Sequence, residues 1–89
     1  MAGLNCGLVS KDAWPVLLNG VDASVLVTDE EALQAMKELQ SHNIDAGPCG
    51  AASLATWKVL CESKDSYAQL GLNKTSKIIL LITEGTSAV

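Results

Sequence analysis

Phenylalanine is absent from this 89-residue sequence, and the whole aromatic complement is two Trp and one Tyr. The apolar 48% of the chain is therefore aliphatic, so any core has to be built from Leu, Val, Ile and Ala. A basic cluster is lacking too. Six Lys+Arg stand against ten Asp+Glu for a net charge of −4, which leaves no electrostatic footprint for nucleic acid or an anionic membrane. The longest apolar run, Ile78-Ile79-Leu80-Leu81-Ile82, is far too short to cross a bilayer. No basic stretch followed by an apolar one opens the chain, so no signal peptide is expected. Cys6, Cys49 and Cys61 are odd in number and widely spaced, which argues against a disulfide framework and against a zinc site. These absences predict a cytoplasmic chain with neither nucleic acid nor membrane as partner.

What is present is organised around Gly47-Pro48-Cys49-Gly50-Ala51-Ala52-Ser53-Leu54-Ala55. Pro48 suits the first turn of a helix, where its fixed φ is helical and its missing N–H is no loss. Gly50, Ala51, Ala52, Ser53 and Ala55 keep the first two turns thin, so this helix can lie close against another layer or a ligand. No nucleophile there is poised beside a base, and the stretch lacks the lysine and spacing of a phosphate loop. It reads as a packing and approach surface.

Taken in order, the chain opens on a glycine-punctuated loop, after which Ser10 is a candidate N-cap for a short helix over Lys11 to Leu18. Pro15 limits that helix, and Asn19-Gly20 closes it. Val21, Ala23, Val25 and Val27 alternate with polar residues except at Leu26, the pattern of a strand over about 22–28. Thr28-Asp29-Glu30-Glu31 is a capping box that starts an amphipathic helix over about 29–42, with Ala32, Met36 and Leu39 on its inner side. The thin helix runs from Pro48 to about Glu62 and should be largely buried in its later turns. Residues 63–75 are polar, with a short helical turn around Tyr67 to Leu70. Lys77 to Thr83 reads as a strand apolar on both faces, hence central in a sheet.

Two strands cannot cover a segment that is apolar on both sides, and an isolated two-stranded unit is marginal in water. A single 89-residue unit is also near the lower limit for a self-sufficient core. The sequence is thus expected to be one partial domain, 1–89, that pairs with further polypeptide or with a second copy.

Several of these stretches, in this order, carry a resemblance. Met1-Ala2-Gly3-Leu4-Asn5-Cys6-Gly7, Ala13-Trp14-Pro15, Gly20-Val21-Asp22-Ala23, Val27-Thr28-Asp29-Glu30-Glu31-Ala32, Ala46-Gly47-Pro48-Cys49-Gly50-Ala51-Ala52 and Thr83-Glu84-Gly85 are similar to the late part of diaminopropionate ammonia-lyases. That family belongs to the fold-type II pyridoxal-phosphate enzymes. The resemblance covers almost all of this chain and about the last quarter of a complete family member. It implies an α/β fold, the C-terminal part of the large domain of the tryptophan-synthase-β-like fold, with strands over about 22–28 and 77–83 and helices over about 11–18, 29–42 and 48–62. It also implies α,β-elimination on a small amino acid, giving ammonia and a keto acid. The Schiff-base lysine motif and the glycine-rich phosphate loop of the family are not in this sequence. Lys11, Lys37, Lys58, Lys64, Lys74 and Lys77 all lie in segments without such a match. Cys49 stands where the family usually has Ser, and Ile82 where Asn is common. The chain is therefore expected not to catalyse or to hold pyridoxal phosphate by itself.

By the same resemblance, Thr83 is the hydroxyl that meets the pyridine nitrogen of the cofactor, and Gly3 and Leu4 belong to the backbone lining its face. The plain alternatives are a strand-end Thr with a solvated hydroxyl and an ordinary loop. Cys6 has no basic neighbour in sequence of the kind that a reactive thiolate needs, so it reads as inert. His42, the single His, falls near a helix C-terminus and reads as a surface residue.

Overall fold

The computed structural model describes Met1 and residues 7–86 and shows four helices in chain order: α1 (Trp14–Gly20), α2 (Asp29–Ser41), α3 (Pro48–Glu62) and α4 (Lys64–Gln69). No strand occurs among the described residues, so the expected α/β architecture is replaced by an all-helical one.

Local chemistry places the helix ends. In α1 the proline decides: Pro15 sits in the first turn, so the helix starts at Trp14 and not at Lys11, while Ser10 accepts from the Ala13 N–H through Oγ at 3.3 Å and from the Trp14 N–H through its carbonyl at 2.9 Å. The capping box of α2 forms as expected. Thr28 Oγ1 accepts the Glu31 N–H at 3.1 Å, and Glu31 Oε1 accepts the Thr28 N–H at 2.8 Å. At the other end Asn43 takes a left-handed φ of 62°, and the N–H groups of Asn43 and Ile44 donate back to the Gln40 and Leu39 carbonyls. That pairing is a Schellman closure. It turns the chain through Ile44-Asp45-Ala46 into α3.

Helices α2 and α3 form the packed layer. Ala35, Leu39, Ala46, Ala51 and Ala55 are its buried centre, with Val27, Met36, Leu54 and Ile82 packed against them. This is an alanine core, and no large side chain is fully buried in it. Lys58 on α3 forms an ion pair with Glu38 on α2, and Trp57 tilts against Tyr67 of α4 with ring centroids 6.2 Å apart. The later turns of α3 are less buried than expected: Leu54, Trp57, Val59 and Leu60 are half-covered, and Cys61 is exposed.

The two segments read as strands flank this layer without pairing. Val21 and Thr28 have extended backbone, and between them Val25 and Val27 turn inward while Leu26 is 96% exposed. Residues 78–84 show the same alternation. Ile78 and Leu80 line an apolar groove of about 240 Å³ with Trp57, Leu60, Leu70 and Leu72. Ile82 reaches the core cluster, whereas Ile79 and Leu81 are 85% and 73% exposed. A ladder needs two backbones side by side, and neither segment has a backbone partner of that kind among the described residues. The apolar pattern was legible; the pairing it implied is not made.

The consequence is surface. The accessible area is 6975 Å² for a 9.3 kDa chain, against roughly 5000 Å² expected for a folded monomer of that mass. The principal extents, 36 × 34 × 20 Å, describe a slab about two helices thick. α1 adds to the excess, since Trp14, Val16, Leu17 and Leu18 are all exposed.

Candidate functional site

The start of α3 lacks a cap of its own. Gly47 is the N-cap residue and has no side chain to accept from the first turn, whose N–H groups therefore need an outside acceptor. Residues 82–86 supply it across a long stretch of sequence. The Glu84 carbonyl accepts the Gly47 N–H at 3.1 Å, and Glu84 Oε1 accepts the Cys49 N–H at 2.9 Å. A carboxylate at a helix N-terminus also meets the positive end of the dipole. The approach is close enough to exclude any side chain at Gly50: a Cβ there would lie 2.6 Å from the Glu84 carbonyl oxygen and 3.2 Å from Ile82 Cγ2.

A second clasp lies two residues further on. Asp45 Oδ1, on the α2–α3 linker, accepts the Thr86 hydroxyl at 2.7 Å and the Thr86 N–H at 3.2 Å. The Thr86 hydroxyl first, and the backbone N–H after it, hold the exposed Asp45 carboxyl below the usual aspartate range. Gly85 between the clasps passes directly over Asp45, with a would-be Cβ 2.7 Å from Oδ2.

Thr83 stands between Ile82 and Glu84, both turned toward α3, and is itself exposed. Its hydroxyl makes no hydrogen bond with a described residue. Gly3, Leu4 and Cys6 lie outside the described residues. The thin start of α3 is an approach surface, as read from its small residues, and what approaches it is the backbone of Glu84. Glu84 and Asp45 were not singled out from sequence. The signal available was the capless Gly47, which demands an acceptor from elsewhere. Cys49 is half-buried and Cys61 exposed, both as free thiols, and His42 is exposed at the C-cap of α2.

Away from this end, an open surface pocket of about 260 Å³ lies where the first turns of α2 meet the later turns of α3, lined by Glu30, Glu31, Gln34, Lys58 and Glu62 among others. Its charges are mostly solvated, and no group of three or more His, Cys, Asp or Glu among the described residues is placed to hold a metal ion. No helix of the described residues is long and apolar enough to cross a membrane. Comparison of the chain with protein-family models, with curated proteins and with solved structures finds no match.

Proposed function

We propose that this chain is a segment of a pyridoxal-phosphate-dependent ammonia-lyase of the diaminopropionate type, that it works in a cytoplasmic setting, and that it acts by joining the polypeptide that carries the Schiff-base lysine and the phosphate loop. The observation that carries the association is uncovered apolar surface: Ile79 and Leu81, on one side of segment 78–84, stand out at 85% and 73% exposure, and Leu26 on the other flanking segment at 96%. Support for the lyase assignment comes from the ordered motifs, two of which, Gly47–Ala52 and Thr83–Gly85, meet at the start of α3.

In this reading Thr83 is the residue that the cofactor's ring nitrogen would meet, a role that rests on the resemblance; its hydroxyl is exposed and makes no hydrogen bond with a described residue. Pyridoxal phosphate would supply the electron sink for α,β-elimination. A hydroxyl partner shares a hydrogen bond with that nitrogen without holding a full proton on it, which suits elimination over transamination.

The test is to titrate pyridoxal phosphate into the chain alone, and into the chain mixed with a diaminopropionate ammonia-lyase deleted for the matching last quarter. Borohydride trapping and peptide mapping then locate any attached cofactor. The expected result is no stoichiometric attachment to the isolated chain. In the mixture, ammonia should be released from diaminopropionate, and Thr83→Ala should weaken cofactor retention. One specifically labelled lysine in the isolated chain, or a mixture that neither associates nor turns over, overturns the reading. A defined oligomer of the chain alone that refuses the lyase remainder would favour a self-associating, non-catalytic relative.

A further inference from the structure

The segment 78–84 runs antiparallel to α3, from the groove at Trp57 and Leu60 to the helix start at Gly47 and Cys49. About 18 Å of helix separates Leu60 from Pro48 at 1.5 Å per residue, and the six steps from Ile78 to Glu84 span about 20 Å when extended. In an extended segment a one-residue slip sends every side chain to the opposite face. Little in the wall of α3 resists such a slip, because Gly50, Ala51, Ala52 and Ala55 present almost no relief. No ladder resists it either, since the backbone groups of residues 77–83 bond to no other described residue.

We infer that Glu84 is a positioning residue that sets the register of this segment, turning Ile82 into the core and holding Ile79, Leu81 and Thr83 on the open face. Only the observed register brings its carboxylate to the Cys49 N–H while its own carbonyl meets Gly47. Beyond Glu84 the extended run ends in a turn, where Thr86 is held separately by Asp45. A slip by one would carry Thr83 into the alanine core and Ile82 out of it. The inference rests on the association reading for its purpose, because the face that Glu84 keeps open is the one proposed to meet the partner and the cofactor. The register itself stands without either.

The experiment uses the full chain, without cofactor, labelled for NMR. In the wild type the Cys49 amide proton should shift as the Glu84 carboxylate titrates, and the Ile82 methyls should show contacts to Gly50. Asp45 is the other carboxylate at this end, so Asp45→Asn serves as the control and should leave the Cys49 titration in place. Glu84→Gln should abolish the titration and keep the Ile82–Gly50 contact, because the amide oxygen still accepts. Glu84→Ala should lose the contact and raise hydrogen exchange at Gly47 and Cys49 at least tenfold, with Leu39 and Ala55 unchanged. A Cys49 amide that ignores Glu84 in the wild type overturns the inference. So does Glu84→Ala with contact and protection intact. The lyase reading fails separately, in the mixing experiment.

Discussion

Replacing Gly50 by Ala separates two forces that ordinarily act together. In a helix interior the change should stabilise, since glycine is about 1 kcal/mol worse than alanine there. At Gly50 the new methyl would sit 2.6 Å from the Glu84 carbonyl oxygen, a backbone atom that cannot swing aside. Residues 82–86 must then lift. They lose the neutral bond from Gly47 and the charge-assisted bond from Cys49, together about 3 kcal/mol by typical values. The net expectation is destabilisation by about 2 kcal/mol, or roughly 10 °C in Tm for a chain this small. Gly20→Ala is the matched control: it too is helical, but nothing lies within 4 Å of its would-be Cβ. Urea denaturation followed by circular dichroism, at one fixed protein concentration, reads both variants. Gly50→Ala should be less stable than the wild type and Gly20→Ala equal or better. If Gly50→Ala gains stability as Gly20→Ala does, the close approach of Glu84 to α3 is wrong.

Two further perturbations probe the ends of the same layer. Thr28→Ala removes the hydroxyl half of the α2 capping box and should cost about 1 kcal/mol; a Thr28→Ser variant should recover most of it, and equal stability of all three would refute the cap. The Asp45 carboxyl is held low by Thr86, so its contribution is present above the ordinary aspartate range and is lost as pH falls below that range through the lowered folded-state value. Protection of the Thr86 amide should therefore collapse on acidification in the wild type. In Asp45→Asn it should be weaker and independent of pH across that window, and a wild-type profile flat over the same window would contradict the clasp.

What could be read from the residues was local. The capping box at Thr28 and Glu31, the bounds of α3 from Pro48 to Glu62, and a helix ending at His42-Asn43 follow from side-chain-to-backbone chemistry within a few positions. The start of α1 lies later than the Ser10 N-cap signal predicts, because the ring of Pro15 fixes the first turn. The strand reading of Lys77 to Thr83 rested on apolar side chains facing both ways. That pattern holds, with Ile78, Leu80 and Ile82 turned to α3 and Ile79 and Leu81 to solvent. A strand is a relation between two backbones, however, and neither 77–83 nor 22–28 has the other beside it as a ladder. The clasps at the start of α3 join residues 35 and 41 positions apart. No periodicity marks such pairs. Only the missing cap at Gly47 hinted that an acceptor had to come from somewhere.

The central claim is that the uncovered apolar face exists to be covered, and sedimentation velocity of the purified chain tests it most directly. The account predicts self-association across the micromolar range, with binding of an apolar dye wherever monomer persists. The paired substitution Ile79→Asp and Leu81→Asp on the exposed face should shift the chain to monomer while leaving its helical circular dichroism in place. A compact monomer at all concentrations that binds no dye would contradict it.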